Sequence, residues 1–235
     1  MPLDRAKLLA DTGVFVVFAA YKLRARGHGR KSGEAASLVR EYSDRVAVDA
    51  YLARGLKASS DYFLRVHAYE LAAIQSFLVA FGATALGRAS RTTETFVGVT
   101  KPLQYITASR SPALSEALTA TVYSALEPLY AIVIPVKKSA DWWNLPAAAR
   151  LKEIEAHTEP TLAFLPNVKR KLYHSTGLDD QDFITYFETS DLAAFNDLVI
   201  ALVSIPENKY NVRLGAPTLL GTIHSVDEVF AAIAP

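Results

Sequence analysis

The sequence predicts an α+β fold in which one βαββαβ unit occurs twice along the chain. The first observation is an internal repeat: residues 51–56 and 173–178 both begin with tyrosine and end in a Gly-Leu pair. The similarity continues into two aromatic-rich segments that start at residues 61 and 182. The second observation is that both copies show the same order of strand, polar loop, strand and amphipathic helix. This order is that of a duplicated ferredoxin-like unit, so we expect a dimeric α+β-barrel-type core.

Each unit is expected to begin with an apolar strand followed by a helix, and to end with an amphipathic helix followed by a last strand. These elements are placed at residues 14–21, 34–44, 71–81 and 95–100 in the first unit, and at residues 130–137, 141–158, 192–202 and 218–223 in the second.

The same pattern divides the chain into three parts. Residues 1–100 form the N-terminal unit, and residues 129–235 form the C-terminal unit. Residues 101–128 are predicted to be a linker that contains a helix around residues 112–127.

Composition excludes several classes of function. Apolar residues make up 51% of the chain and charged residues 21%, which is typical of a globular protein. The net charge of +1 gives no basic surface of the kind that nucleic-acid-binding proteins carry. Because the chain has no cysteine, disulfides, thiolate metal sites and covalently attached c-type haem are excluded. Any cofactor must be held by histidine, carboxylate or packing.

No segment approaches the roughly 20 apolar residues of a membrane span, so no membrane partner is expected. The N-terminus lacks the positive start and apolar core of a signal peptide. We therefore expect a cytoplasmic location, or a periplasmic one if a leader peptide has been removed.

A histidine and a tryptophan in the second unit are candidates for holding a flat cofactor. His157 lies near the end of the predicted helix, and Trp143 lies 14 residues earlier. This separation is close to four helical turns, so both side chains project from nearly the same face. Such a pair suits a planar apolar cofactor with a metal at its centre. The position of His157 also fits a helix-end histidine that interacts with the helix dipole.

Arg170 is a candidate for binding an anion. It lies between Lys169 and Lys171 in a predicted strand, and strand side chains alternate between two faces. If the lysines face water, Arg170 faces the sheet interior or a pocket, where a cation needs an anionic partner. The reverse register would leave Arg170 in solvent.

Several segments of the second half form a spaced set that resembles the chlorite dismutase family, in its long-subunit branch. They are residues 138–145, 157–160, 170–180, 182–189 and 217–222, together with Arg213 and Gly215. In the first half, residues 46–52 and 64–67 show the same resemblance, which thus covers nearly the whole chain.

The resemblance implies haem b, bound non-covalently in the second unit, with His157 as the axial ligand of the haem iron. It implies that Glu207 hydrogen-bonds the imidazole and that Lys138 bonds a haem propionate or joins the same network. Arg170 corresponds to the distal arginine of the family. Taken singly, Glu207 and Lys138 look like ordinary surface residues.

Three further positions correspond to residues around the haem of the family. Trp143 and Tyr105 match aromatic positions. Leu214 stands where some relatives carry a tryptophan, which affects the finer tuning of the pocket.

The activity implied by the resemblance is that of an oxidoreductase, chlorite O₂-lyase. It converts chlorite to chloride and dioxygen through a ferryl and hypochlorite rebound step. A haem-dependent peroxidase or an iron-coproporphyrin decarboxylase of the same fold family is the alternative, as is a non-catalytic haem-binding protein. Those decarboxylases typically lack the distal arginine, so Arg170 argues against that alternative. The resemblance also implies a homo-oligomer, with a pentamer favoured.

Overall fold

The computed structural model describes residues 3–24, 32–102, 129–164 and 166–233. The chain divides into two compact units. The first unit comprises the described parts of Met1–Thr100 and Leu219–Pro235, and the second those of Lys101–Thr218. The predicted linker helix at residues 112–127 lies outside the described residues. In the part of the chain that is described, no helix combines the length and apolar character needed to cross a bilayer.

The first unit contains the predicted βαββαβ order, preceded by a short helix. Its elements are α1 (Arg5–Ala10), β1 (Phe15–Leu23), α2 (Ser32–Glu41), β2 (Ala47–Leu52), β3 (Tyr62–Ala68), α3 (Leu71–Ala83), α4 (Ala85–Ala89) and β4 (Ser90–Val99). The strands pair antiparallel in the order β4-β1-β3-β2.

The second unit repeats this arrangement. Its elements are β5 (Tyr130–Lys138), α5 (Ala140–Asn144), α6 (Ala147–Thr158), a 3-10 segment (Glu159–Phe164), β6 (Val168–His174), β7 (Phe183–Thr189), α7 (Leu192–Val203), a second 3-10 segment (Pro206–Tyr210) and β8 (Asn211–Leu214). The antiparallel order β6-β7-β5-β8 again places the first strand between the third and the fourth. The predicted α+β fold class, with its duplicated unit, is confirmed.

The strand that closes the second unit is not the predicted one. β8 pairs with β5 in that place, whereas β9 (Leu219–Ile223) pairs with β2 of the first unit. The following helix α8 (Val226–Ile233) buries Val229, Phe230 and Ile233 in the core of the first unit. Residues 218–223 were predicted to belong to the second unit, whereas the structure groups Leu219–Pro235 with the first, because alternation identifies a strand but not its neighbours.

The predicted helix at residues 141–158 is two helices. α5 ends at Asn144, and α6 begins directly after Pro146. Proline lacks the N–H that a helix interior needs, but it is well suited to the start of a helix.

The sequence repeat corresponds to a repeat of backbone geometry. Gly55 and Gly177 both have positive φ, at 86° and 78°, which glycine adopts readily. The carbonyl groups of Asp61 and Asp182 each accept two amides from the turn that precedes them. The two hairpins are therefore built in the same way.

Each hairpin also bonds to the first strand of its own unit. The amide of Asp61 donates to the carbonyl of Tyr21 at 2.7 Å, and the amide of Asp182 donates to the carbonyl of Val136 at 2.9 Å. Tyr21 and Val136 thus occupy corresponding places.

Corresponding places carry side chains of different size. In the first unit Tyr21 stacks on Tyr62, with ring centroids 5.0 Å apart, and Phe81 packs against both Tyr21 and Phe230. In the second unit, the smaller Val136 occupies the position equivalent to Tyr21, and Leu202 occupies the position equivalent to Phe81. At these two places, therefore, large rings fill the first unit, whereas smaller side chains stand in the second.

Candidate active site

A cavity of about 860 Å³ lies in the second unit between its sheet and helices α6 and α7. This volume is within the usual range of ligand and cofactor pockets. The sheet contributes the apolar side chains of Ile134, Val136, Leu172, Phe183 and Phe187. The helices contribute Leu151, Ile154, Val199 and Leu202.

Strand register explains why these sheet residues meet on one face. Thr185 of β7 pairs with Ile134 on one side and with Leu172 on the other. Side chains two residues apart share a face, so Phe183 and Phe187 lie beside Thr185. The cavity wall is therefore a single face of the central strands.

A hydrogen-bonded network of three side chains lines this cavity. His157, in the last turn of α6, has its Nδ1 3.1 Å from Oε2 of Glu207. The other carboxylate oxygen of Glu207 accepts a hydrogen bond from Nζ of Lys138, the last residue of β5. Glu207 is 3% exposed and Lys138 is 8% exposed, and all three residues line the cavity. The structure thus brings three predicted site residues together.

The charges in this network follow from burial and contact. Burial opposes ionisation of Glu207, but its contacts with His157 and then with Lys138 outweigh burial and hold the pKa of Glu207 below its usual value. Burial lowers the pKa of Lys138, although the charges of Glu207 and Asp182 oppose this shift. The ionised Glu207 accepts the Nδ1–H of His157, which leaves Nε2 as the ring nitrogen for a metal.

The corresponding places in the first unit are apolar. The amides of Leu23 and Lys138 each donate to a carboxylate at 2.8 Å, which identifies them as counterparts. Leu86 is buried in α4, shortly after the end of α3, and Glu207 lies shortly after the end of α7. Leu86 is therefore the counterpart of Glu207. The charged network is therefore not a requirement of the fold.

Both tryptophans line the cavity, but they play different structural parts. Trp142 is buried, and its ring lies 4.3 Å from Nζ of Lys138. Trp143 is 40% exposed and stacks on Phe183, with ring centroids 6.2 Å apart. The spacing predicted that Trp143 and His157 share one continuous helix, but they lie on two helices. Both side chains nevertheless line the cavity.

Arg170 lines the cavity from the sheet side, where β6 pairs it with Phe187 of β7. The predicted orientation of Arg170 toward a pocket is therefore found. One premise of that prediction was wrong, because Lys171 is buried rather than solvated, at 8% exposure.

The remaining predicted positions have different outcomes. Leu214 lines the cavity and is 39% exposed. Tyr105 lies outside the described residues.

Two residues of this region were not singled out as functional from the sequence. His174 lines the cavity, and burial, with a smaller contribution from Lys101, lowers its pKa to about 4. Asp182 accepts a hydrogen bond from the backbone N–H of Lys138, 44 residues away. The repeat offered one signal for Asp182, since Asp61 stands in the same place in the first copy.

Comparison with known proteins gives consistent matches. A profile of the family described as chlorite dismutase matches residues 29–223. A curated chlorite dismutase from Ideonella dechloratans is 53% identical over 241 residues, which cover 99% of this chain and 84% of that relative. A coproheme decarboxylase from Mycolicibacterium smegmatis is 26% identical over 204 residues, which cover 85% of this chain and 84% of that relative.

Solved structures agree over the whole chain. A variant chlorite dismutase from Candidatus Nitrospira defluvii matches with a TM-score of 0.92 and 40% identity, covering 99% of this chain and 100% of that one. That variant replaces one tryptophan and one arginine, and their separation in sequence equals that of Trp143 and Arg170.

Removing Glu207 alone is expected to destabilise the protein, because the buried Lys138 ammonium loses the carboxylate that it contacts. We expect Glu207→Leu to lower the free energy of unfolding by about 3 kcal/mol in urea denaturation of the cofactor-free protein. The double variant Lys138→Leu/Glu207→Leu should recover most of this loss, since the first unit carries Leu23 and Leu86 at these places. A double variant as unstable as the single one would contradict this explanation.

Proposed function

The chain belongs to the chlorite dismutase family, and on this basis we propose that it is a haem b enzyme that converts chlorite to chloride and dioxygen. One observation carries the proposal. His157, hydrogen-bonded to the buried Glu207–Lys138 pair, lines the same apolar cavity as Arg170.

The residues of this cavity fit a haem. Apolar side chains from the sheet and both helices surround a space of about 860 Å³, which suits a large flat hydrophobic ring. Histidine is a usual axial ligand of haem iron, and His157 has one ring nitrogen engaged by Glu207 and the other available. The absence of cysteine from the sequence favours non-covalent haem b over a thioether-linked haem.

When bound, haem iron supplies the redox centre at which a Cl–O bond breaks and an O–O bond forms. The chain's own contribution on the helix side is to orient the His157 imidazole, which would hold the haem iron. The Glu207 carboxylate accepts the His157 N–H, which fixes the ring orientation and increases electron donation by the imidazole. Lys138 holds that carboxylate in place and balances part of its charge.

Arg170 supplies a positive charge on the sheet side of the cavity. Chlorite is an anion, and a guanidinium in apolar surroundings attracts it more strongly than one in water. The same charge would keep other small anions that form from the substrate within the cavity. The reaction ClO₂⁻ → Cl⁻ + O₂ takes up and releases no proton, so its overall balance requires no general base.

The family resemblance supports two further parts of the proposal. The assembly is a homopentamer, which sedimentation of the purified protein would measure. The location is periplasmic if a leader peptide is removed and cytoplasmic otherwise, which fractionation of cells would decide.

The function is tested by adding chlorite to the haem-loaded protein in an oxygen electrode. We expect rapid release of one O₂ per chlorite consumed, with chloride as the other product. Free haem at the same concentration is the control. Holoprotein that releases no O₂ would show that the proposal is wrong.

Replacing Arg170 by alanine should slow turnover without removing the haem, because the anion loses its fixed positive partner. We expect O₂ release to fall by up to about 10²-fold and a chlorination trap to detect escaping hypochlorite. Arg213→Ala, at an exposed position of β8, is the matched control and should behave like the wild type. Equal rates for both variants, with no trapped hypochlorite, would remove the role assigned to Arg170.

Filling the cavity should prevent haem binding. Val136→Tyr places in the second unit the side chain that the first unit carries at Tyr21, and overpacking costs about 1–3 kcal/mol. We expect haem affinity to fall by about tenfold to a hundredfold in a Soret absorbance titration. Val212→Tyr, where the valine is 68% exposed, is the control. Unchanged affinity in Val136→Tyr would place the haem elsewhere.

A further inference from the structure

We propose that Asp182 is a positioning residue for the His157–Glu207–Lys138 network, a role that rests on the function proposed for that site. Its Oδ2 accepts the main-chain N–H of Lys138 at 2.8 Å. This contact holds the end of β5 at the point where the Lys138 side chain turns toward Glu207. Asp182 therefore acts on the axial imidazole through two intervening residues.

Asp182 is held firmly enough to serve as an anchor. It is 1% exposed, and its own amide donates to the carbonyl of Val136 at 2.9 Å. Its carbonyl accepts the amides of Ser175 and Thr176, at 2.8 and 3.2 Å. These contacts to β5 and to the turn after β6 fix the main chain of Asp182, from which its carboxylate reaches Lys138.

Lys138 needs such an anchor because its side chain is long and buried. A lysine side chain has several rotatable bonds, and holding it in one geometry costs conformational entropy. Its Nζ must remain between the Glu207 carboxylate and the ring of Trp142, which lies 4.3 Å away. A fixed backbone at residue 138 limits the positions that Nζ can reach.

The first unit contains the same anchor without the network. Oδ2 of Asp61 accepts the N–H of Leu23 at 2.8 Å, and its amide donates to the carbonyl of Tyr21 at 2.7 Å. Lys22 pairs with Asp61 at 3.1 Å, as Lys137 approaches Asp182 at 3.6 Å. Both aspartates secure a hairpin, but only Asp182 also places a side chain that reaches the site. Asp61 is therefore a natural control for the purely structural part of the role.

The test is the ferric/ferrous reduction potential of the haem in holoprotein carrying Asp182→Ala. If Lys138 shifts, the charge of Glu207 is less balanced and the imidazole gains anionic character, so the potential should become more negative. Removing a nearby negative charge, without any displacement, would shift the potential in the opposite direction. The sign of the change therefore separates positioning from simple electrostatics.

Two comparisons complete the experiment. Asp182→Asn keeps an oxygen that can accept the Lys138 N–H, so it should show no negative shift. Asp61→Ala should lower the unfolding temperature as Asp182→Ala does, yet leave the potential unchanged. If Asp182→Ala does not fold, Asp182→Glu keeps the charge but displaces the carboxylate, and it should also give a more negative potential.

The proposal is overturned if Asp182→Ala leaves the potential unchanged or shifts it positively, or if Asp61→Ala shifts it as much. The measurement requires bound haem but no turnover. Wild-type holoprotein that releases no O₂ would contradict the proposed function and leave this comparison intact.

Discussion

The ion pair between Lys138 and Glu207 is the interaction on which the site depends. Taking two charges out of water is unfavourable, and a well-packed apolar pair is often as stable as a buried ion pair or more so. The first unit shows that this fold accepts apolar residues, since Leu23 and Leu86 stand in the corresponding places. The charged pair therefore reflects the requirement of His157 for an ionised acceptor at Nδ1. Orientation of one imidazole accounts for a buried charge that the fold does not need.

Duplication allows the two units to divide stability and function between them. In the first unit, rings such as Phe81 and Phe230 pack at a centroid distance of 5.9 Å and fill the core. In the second unit, Val136 and Leu202 leave a cavity in the same place. Missing core volume costs stability unless a ligand occupies it, because the surrounding atoms lose their contacts. Ligand binding is thus expected to contribute more to the stability of the second unit than of the first.

The sequence predicted the features that depend on local pattern and missed those that depend on distant contacts. Alternation along β6 allowed Arg170 to face either a pocket or solvent, and it could not show that Lys171 is buried. The role of His157 came from family resemblance, since position alone also fitted a helix-end histidine. The helix break at Pro146 was missed, although a proline in a predicted helix is itself a signal of a break. The partner of residues 219–223 and the contact from Asp182 to Lys138 depend on tertiary structure, which no local pattern encodes.

The two walls of the cavity are set by independent parts of the unit. His157 is placed by the end of α6 and by Glu207, whereas Arg170 is placed by the register between β6 and β7. A change at Glu207 or Lys138 that alters the hydrogen bond to the His157 imidazole is therefore expected to leave the strand register that places Arg170 unchanged. The two walls of one cavity can therefore differ in character, with a hydrogen-bonded imidazole on the helix side and a guanidinium on the sheet side.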